Sequence, residues 1–407
     1  MELPYRFIWT WDHSMDWSPL ADGLQEFGCS SPYYRTPATF LDDYKRAIDY
    51  FSDLGFTGIT IYGLLRDCHG GVKAANELCK YARKKKMYVI AGVGINAYGG
   101  IYWDGKHEFN LPTWLEKNPK FASNRPYTHR FERTACPSKK ENAAWHKRAI
   151  RWLCENVDIG GINFESGDYG QCSCAQCRKR FGEDFWSVQQ MADTFLPLIE
   201  EATRVRPDVL PICECYFDRV HDAAFYEPLK VLPPETILQF CINRVYIQEF
   251  LETMTAEKAA ALPPHRKVIR THIGSQWNDI AQKMPGERHR FVARDFAAIA
   301  AKTAQIGMDG IGIFGEVTAN KTLHELNYLA AAAFADDPAL TWQRFVKETL
   351  APLLGGKALA AKYLQLIEKP TASLRDLKFA KSVLIDAPPG IDRRWLWLCD
   401  LLYRRMN

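Results

Sequence analysis

Eight short runs of apolar and β-branched residues alternate with longer amphipathic stretches along residues 6–335. The runs lie at residues 6–10, 58–62, 87–93, 161–165, 210–215, 236–242, 267–272 and 310–314. The stretches with helical periodicity lie at residues 39–54, 72–85, 142–155, 177–204, 223–230, 256–261, 290–305 and 323–335. Strands that are separated by helices pair in parallel, and eight such units without an internal repeat suit a closed barrel. The alternation therefore predicts an α/β fold, the (β/α)8 TIM barrel.

An open, doubly wound sheet is the structural alternative, but no G-x-G-x-x-G motif follows the first strand to favour it. From residues 336–338 onwards the sequence is rich in helical patterns, with breaks at 355–356 and 388–390. We therefore expect a barrel over residues 1–335 and a helical C-terminal extension over residues 336–407 that packs on it.

The composition is that of an ordinary globular protein, with 47% apolar and 25% charged residues among 407. Lys and Arg number 52 and Asp and Glu number 48, which gives a formal net charge of +4. Because the longest block of like charge, residues 83–86, has only four residues, neither nucleic acid nor a membrane surface is expected as a partner.

The longest apolar stretch, residues 329–335, is shorter than the ~20 residues that cross a bilayer. The start of the chain does not resemble a secretory signal. We therefore expect a cytoplasmic protein with its 12 cysteines reduced, or a secreted one if the given sequence was trimmed.

Polar and aromatic residues are dense where the predicted strands end, which is where a TIM barrel places its functional groups. In chain order they include Asp12, His13, Arg66, Asn96, Trp103, His129, Glu165, Asp168, Asn243, Arg244, His272 and Glu316. Two loops, residues 12–37 and 96–140, are longer than usual, and the second is rich in aromatic residues. Aromatic faces stack on sugar rings, so we interpret these loops as walls of a ligand site.

Four carboxylates, those of Asp12, Glu165, Glu214 and Glu316, would converge at one end of such a barrel. Hydrolysis of a glycosidic bond needs two acid–base groups, one for the leaving oxygen and one as nucleophile or base. Asp12 stands among tryptophans, whose desolvation raises basicity and suits a general base. For Glu165, direct chemistry and hydrogen bonding to substrate or arginine are both open, and for Glu214 we favour hydrogen bonding.

The sharpest short motif of the chain is Cys172-Ser-Cys174-Ala-Gln-Cys177. Three thiols at this spacing can bind zinc, with a fourth ligand from Cys136, Cys68 or His69. A second C-x-x-C is missing, so a thiol-lined turn that begins a helix is the alternative. The sequence thus predicts no cofactor for the chemistry and leaves a structural zinc open. Motifs for phosphoryl transfer, zinc proteolysis and serine hydrolysis are absent from the sequence.

Residues 160–170, Gly-Gly-Ile-Asn-Phe-Glu-Ser-Gly-Asp-Tyr-Gly, run into this cysteine motif. Residues 135–138, Ala-Cys-Pro-Ser, with Asn142 and Trp145, and the tail Leu-Thr-Trp-Gln-Arg-Phe at 340–345 belong to the same pattern. Together with Trp-Asp-His-Ser at residues 11–14, these segments resemble the inverting sialidases of glycoside hydrolase family 156, over most of the barrel.

The resemblance implies a TIM-barrel exo-sialidase that uses an Asp as base and a His as acid in a single displacement. By position these are Asp12 and His129, although His107 and His146 lie in the same region and leave the histidine open. The other residues at the strand ends are then expected to bind the sialoside. Its carboxylate suits a guanidinium from Arg244 or Arg66, with Arg130 and Arg133 behind them, and each of these can instead pair with Glu165 or Asp168.

Two alternatives remain. A hexosaminidase-like or α-glucuronidase-like hydrolase would use Glu165 with Glu316 or Asp168 and would need no histidine. A non-catalytic sugar-binding barrel would bind a glycoside without turnover. The expected partner is a sialoside or other glycoside in each case, and a homodimer is left open.

Overall fold

The computed structural model describes residues 2–15, 17, 36–125, 133–166, 170–184, 187–215, 222–242, 246–271, 291–314 and 322–406. Eight parallel strands pair in sequence order, and the first also pairs with the eighth, which closes the barrel. They are β1 Tyr5–Trp11, β2 Gly58–Tyr62, β3 Tyr88–Gly94, β4 Gly161–Glu165, β5 Leu210–Cys215, β6 Ile237–Ile242, β7 Arg266–Thr271 and β8 Gly310–Phe314. The predicted (β/α)8 TIM barrel is confirmed.

Helices separate the strands and cover the outside of the barrel. They are α1 Pro37–Asp53, α2 Gly71–Lys84, α3 Leu111–Lys117, α4 Lys140–Asn156, α5 Ala175–Phe181, α6 Val188–Val205, α7 Ile247–Thr253, α8 Ala256–Ala261, α9 Ala293–Gln305 and α10 Thr322–Asp336. Short 3₁₀ turns occupy Asp67–His69 and Pro119–Phe121, and a longer 3₁₀ helix occupies Ala223–Val231.

The helix predicted over residues 177–204 is in fact two helices, α5 and α6. Gly182 ends α5 with a φ of +83°, a left-handed conformation that glycine adopts without steric cost. Ser187 then begins α6, because its side chain accepts a hydrogen bond from the backbone N–H of Gln190. The single predicted helix was wrong because a capped break lies inside its periodic pattern.

The interior of the barrel changes character from its N-terminal to its C-terminal end. At the N-terminal end lies an apolar cluster of Phe7, Ile90, Ile212, Ile237 and Val268. At the C-terminal end, which we call the barrel mouth, lies an aromatic cluster that we call the mouth cluster. It consists of Trp9, Trp11, Tyr62, Ala97, Tyr98, Trp103 and Phe314. The aromatic lining therefore faces the end where TIM barrels bind ligands.

The chain after the barrel is helical, as expected. Its segments are Trp342–Phe345, a π-helical turn Val346–Leu350, Ala351–Leu354, Lys357–Ile367, Leu374–Asp386 and Asp392–Arg404. A buried two-pronged ion pair of 2.6 and 2.7 Å joins Arg394 of the last helix to Glu325 of α10. The described helices include none that is both long and apolar enough to cross a membrane.

Candidate active site

Asp12 follows β1 directly and lies at the barrel mouth. Its backbone N–H donates to the Tyr62 carbonyl at 2.7 Å, so strand pairing extends to it. Its side chain forms an ion pair with Arg66, Nε to Oδ2 2.9 Å, and contacts His13 and His69 at 3.5 and 3.7 Å. Three nitrogen-bearing side chains therefore surround one buried carboxylate.

Gly63 provides the room for this carboxylate. It lies at the end of β2 with a φ of +82°, and a Cβ built on it would stand 2.6 Å from Asp12 Oδ1. Any larger residue at position 63 would therefore displace the Asp12 side chain as well as strain the backbone.

Electrostatics hold Asp12 ionised. Burial raises the pKa of its carboxyl, but the charge of Arg66 and the contacts with His13 and His69 outweigh burial and hold the pKa well below its usual range. The expectation that neighbouring tryptophans raise its basicity is therefore wrong. The reason is Arg66, which lies 54 positions away in the sequence and is brought close by the pairing of β1 with β2.

His69 contacts Phe40 and the Gly63 carbonyl in addition to Asp12. Its ring stacks on Phe40 of α1 with centroids 4.0 Å apart, and its Nε2 lies 2.9 Å from the Gly63 carbonyl. Burial lowers its pKa, against the opposing effect of the Asp12 carboxylate. A neutral imidazole that donates from Nε2 to Gly63 is the consequence.

The two carboxylates at the ends of β1 and β4 project in different directions. Trp11 belongs to the mouth cluster, and Asp12, the next residue, contacts His69 next to α1 instead. Glu165 is fully buried, and Asn163, two residues earlier, hydrogen-bonds Tyr62 inside the barrel. By strand alternation Glu165 therefore faces the interior of the barrel mouth.

Tyr62 is in contact with Glu165. Burial raises the pKa of its phenol, and the carboxylates of Glu165 and Glu214 raise it further. The phenol therefore stays protonated, accepts from the Asn163 amide at 2.7 Å and donates to Glu165.

A second buried ion pair crosses the barrel interior below the mouth. Arg270 of β7 pairs with Glu214 of β5 at 2.7 Å, and Gln239 of β6 donates to the same carboxylate at 2.6 Å. The Arg270 guanidinium also lies 4.9 Å from the Trp9 ring. The preference for a hydrogen-bonding role of Glu214 agrees with this network. Arg270 and Gln239 were missed, although a polar residue within a buried parallel strand, which is otherwise largely apolar, is a usable signal.

Several buried polar groups at the barrel mouth have no hydrogen-bond partner among the described residues. They are the indole N–H groups of Trp11 and Trp103 and both side-chain atoms of Asn96. These three residues are 6%, 7% and 5% exposed. Asn96 lines a pocket together with Ser166 and Gln171, next to the cysteine motif. Folded proteins leave few such groups unpaired, so the mouth is suited to a ligand with many oxygen atoms.

Trp103 and Arg66 form one surface. The Trp103 ring stacks on Tyr98 with centroids 5.7 Å apart, and the Arg66 guanidinium lies 5.6 Å from the same Trp103 ring. Arg66 therefore joins the Asp12 site to the mouth cluster. Its charge is paired with Asp12 in this structure, whereas the sequence offered Arg66 for a substrate carboxylate or as a partner of Glu165 or Asp168.

The other residues of the sequence-based site fall into two groups. The structure places Asp12, His13, Asn96, Trp103 and Glu165 at the barrel mouth. Arg133 is described and exposed. The remaining candidates lie outside the described residues, namely His129, Arg130, Asp168, Asn243, Arg244, His272 and Glu316.

The other two histidines considered as acids pack in the helical layer. His107 stacks on Tyr102 with centroids 4.1 Å apart and contacts Trp152 of α4 at 4.5 Å. His146 is buried on α4 against Trp145, and burial lowers its pKa to about 3. An imidazole with that pKa is uncharged at neutral pH and is a poor proton donor.

The cysteine motif gains a fourth thiol. The Sγ atoms of Cys136, Cys172, Cys174 and Cys177 all lie within 4.8 Å of one another. Cys68 and His69, the other ligands considered, lie near Arg66 and Asp12 instead. Of the three fourth ligands that the sequence left open, the structure brings Cys136 to the motif.

No protein-family model and no curated protein matches the chain. Among solved structures the chain is similar to a β-N-acetylhexosaminidase, with a TM-score of 0.52, 12% identity and coverage of 84% of this chain and 74% of that one. It is also similar to the glycoside hydrolase domain of PgaB (BpsB) from Bordetella bronchiseptica, with a TM-score of 0.51, 12% identity and coverage of 83% and 99%.

A third similar structure is a family 138 glycoside hydrolase targeting pectin rhamnogalacturonan II, with a TM-score of 0.52 and 11% identity. The match covers 97% of this chain and 49% of that one, so this chain spans about half its length. At these identities the likeness shows the fold, which is the same TIM barrel.

Proposed function

We propose that this protein is a glycoside hydrolase, and more specifically an inverting exo-sialidase. The observation that carries the proposal is the barrel mouth itself. There, buried polar groups of Trp11, Trp103 and Asn96 that have no hydrogen-bond partner among the described residues accompany a carboxylate, Asp12, that is held ionised. Sugars supply the hydroxyl and carboxylate oxygens that such donors bind. Similar folds among glycoside hydrolases support the same class of reaction.

In the proposed mechanism Asp12 takes a proton from a water molecule, and the water oxygen forms a bond to the anomeric carbon. The bond from that carbon to the leaving oxygen breaks, and His129 gives its proton to the leaving oxygen. An inverting enzyme separates the two groups by about 6.5–9.5 Å to admit the water, a range known from carboxylate pairs. The low pKa of the Asp12 carboxyl keeps it ionised across the working pH range. The same low pKa makes it a weak base, so its proton transfer from water must be concerted with formation of the bond to the anomeric carbon.

The sialoside itself contributes to this scheme. Its carboxylate on the anomeric carbon raises the pKa of a nearby imidazolium, which keeps His129 protonated before the reaction. The same negative charge repels an anionic nucleophile, so attack by water is favoured over a covalent intermediate. Arg244 is the guanidinium proposed for the substrate carboxylate, since Arg66 is paired with Asp12.

A second candidate uses Glu165 with Glu316 or Asp168, as a hexosaminidase-like or α-glucuronidase-like hydrolase would. The inward position of Glu165 favours it, because this carboxylate faces the interior of the barrel mouth in contact with Tyr62. In the sialidase mechanism Glu165 instead accepts hydrogen bonds from substrate hydroxyls.

A panel of aryl glycosides that includes an aryl sialoside separates the candidates. We expect turnover of the sialoside, and we expect Asp12→Asn and His129→Asn each to lower kcat/KM at least ~100-fold, the size typical of a lost general acid or base. His107→Asn is the matched histidine control and should stay close to wild type, since His107 is packed against Tyr102.

The outcomes that contradict the proposal are distinct. Cleavage of neutral glycosides alone, with the largest loss in Glu165→Gln, would support the second candidate. Binding of sialic acid without turnover of any glycoside would support a non-catalytic barrel. Circular dichroism of Asp12→Asn checks that lost activity is not lost folding.

A further inference from the structure

Four thiols from two separate chain segments lie close together and have no role in the proposed reaction. Cys136 lies near the end of the long loop after β3, and Cys172, Cys174 and Cys177 follow β4. The Sγ of Cys136 lies 3.6 Å from that of Cys177 and 3.9 Å from that of Cys174. Zn–S bonds of about 2.3 Å in a tetrahedron place sulfur atoms about 3.8 Å apart. These two separations match the edges of that tetrahedron, and the other sulfur pairs lie within 4.8 Å.

The thiols lie in a buried and hydrogen-bonded environment. Cys136, Cys172 and Cys177 are buried, and Phe181 of α5 packs against them. Cys174 is the N-cap of α5, and its Sγ accepts from the backbone N–H of Cys177 at 3.4 Å. Such a bond stabilises a thiolate and fixes the direction in which the sulfur points.

Two further side chains orient the cysteines. The hydroxyl of Ser138 lies 3.0 Å from the Cys177 Sγ and can donate to a thiolate there. Asn124 accepts from the Ser173 backbone N–H at 2.9 Å, and its side chain lies 3.3 Å from the Cys172 Sγ. Residues from both segments therefore hold the four sulfurs in place, as outer-shell partners do around structural metals.

A disulfide pair does not account for this arrangement. A disulfide brings two sulfurs to about 2.05 Å, whereas all four cysteines here are free thiols. Four mutually close sulfurs, with no oxygen or nitrogen ligand beside them among the described residues, are the set that a tetrahedral S₄ metal site uses. A two-iron cluster would separate the sulfurs into two more distant pairs, so the spacing favours a single ion.

We infer that Cys136, Cys172, Cys174 and Cys177 bind one structural zinc ion. The ion joins the end of the long aromatic loop, which carries Cys136, to the segment that follows Glu165. It carries no step of the reaction, and it fixes the position of two loops at the barrel mouth. The inference does not depend on the proposed glycosidase activity, because metal content is measured without any substrate.

Metal analysis of the full-length protein purified without chelator tests the inference. We expect about one zinc per chain, falling below about one tenth in Cys136→Ser and in Cys174→Ser. Cys154→Ser is the matched control, a buried cysteine on α4 away from the cluster, and it should keep its zinc. Cobalt bound in place of zinc should give the d–d and thiolate charge-transfer absorption of a tetrahedral S₄ site.

Three results of the metal analysis would overturn the inference. They are wild-type protein that holds no zinc even after incubation with it, iron in place of zinc, and full zinc retention by Cys136→Ser. If Cys136→Ser fails to fold, the wild-type zinc content and the cobalt spectrum decide alone. A cobalt spectrum without thiolate charge transfer would also contradict it.

Discussion

Two buried arginine–carboxylate pairs occupy different levels of the same barrel. Arg270 and Glu214 lie in the interior, and both side chains are fully buried. Arg66 and Asp12 lie at the barrel mouth, where the Arg66 side chain keeps 12% of its surface exposed. The pairs are chemically alike, with nitrogen–oxygen distances of 2.7 and 2.9 Å.

The neighbours of the two pairs differ. The interior pair is completed by Gln239 and by the face of Trp9, so its polar atoms bind other parts of the protein. The pair at the mouth has two histidines beside its carboxylate, and the indole N–H groups of the adjacent mouth cluster find no partner in the part of the chain that the structure describes. The first arrangement serves stability, and the second has the groups needed to act on a ligand.

The largest effect on stability is expected in the interior pair. Arg270→Met leaves the Glu214 carboxylate buried and unpaired, which should lower the free energy of unfolding by about 3–5 kcal/mol. Urea unfolding measures this loss of unfolding free energy. The double variant Glu214→Leu with Arg270→Met is the control and should regain much of the loss, because no charge is left behind. A single variant as stable as wild type would show that this pair does not stabilise the barrel.

The pair at the mouth should contribute to stability in a way that depends on pH. The folded pKa of Asp12 is lowered, so its contribution to stability is present above the unfolded value of about 3.9 and is lost as pH falls below it. We expect the Tm difference between wild type and Asp12→Asn to be constant from pH 7 to 5 and to shrink below pH 4. A difference that grows as the pH falls would contradict the assigned charge.

A smaller effect is expected at His146. Its folded pKa of about 3 lies below the unfolded value of about 6.5, so the stability it gives is present above pH 6.5 and declines as the pH falls. Between pH 7 and pH 5, the free energy of unfolding should fall by about 1–2 kcal/mol less in His146→Gln than in wild type. Urea unfolding at each pH measures this difference. Parallel pH profiles for the two proteins would mean that His146 is hydrated in the fold.

The sequence predicted the barrel well because its strands are short, buried and rich in β-branched residues. The predicted bounds of β2, β4, β5 and β8 agree with the structure. The prediction for residues 177–204 failed because the break between the two helices does not disturb the helical period of the apolar residues. One glycine ends the first helix there, and one serine caps the start of the second.

The site was predictable in part. Strand ends located Asp12, Asn96 and Glu165, because that rule depends only on where strands stop. The partners were not predictable, because Arg66 reaches Asp12 through the pairing of β1 with β2 and Cys136 reaches its motif through the packing of two loops. Such contacts depend on tertiary register, which single-sequence patterns do not encode.

The central claim is that water, activated by a carboxylate at the barrel mouth, displaces the leaving group in one step. Proton NMR of the first sugar released from an aryl α-sialoside by the wild-type enzyme tests it most directly. The account predicts β-sialic acid as the first product, followed by slow mutarotation. Release of the α-anomer first, which requires a covalent intermediate, or no release of sialic acid at all, would contradict it.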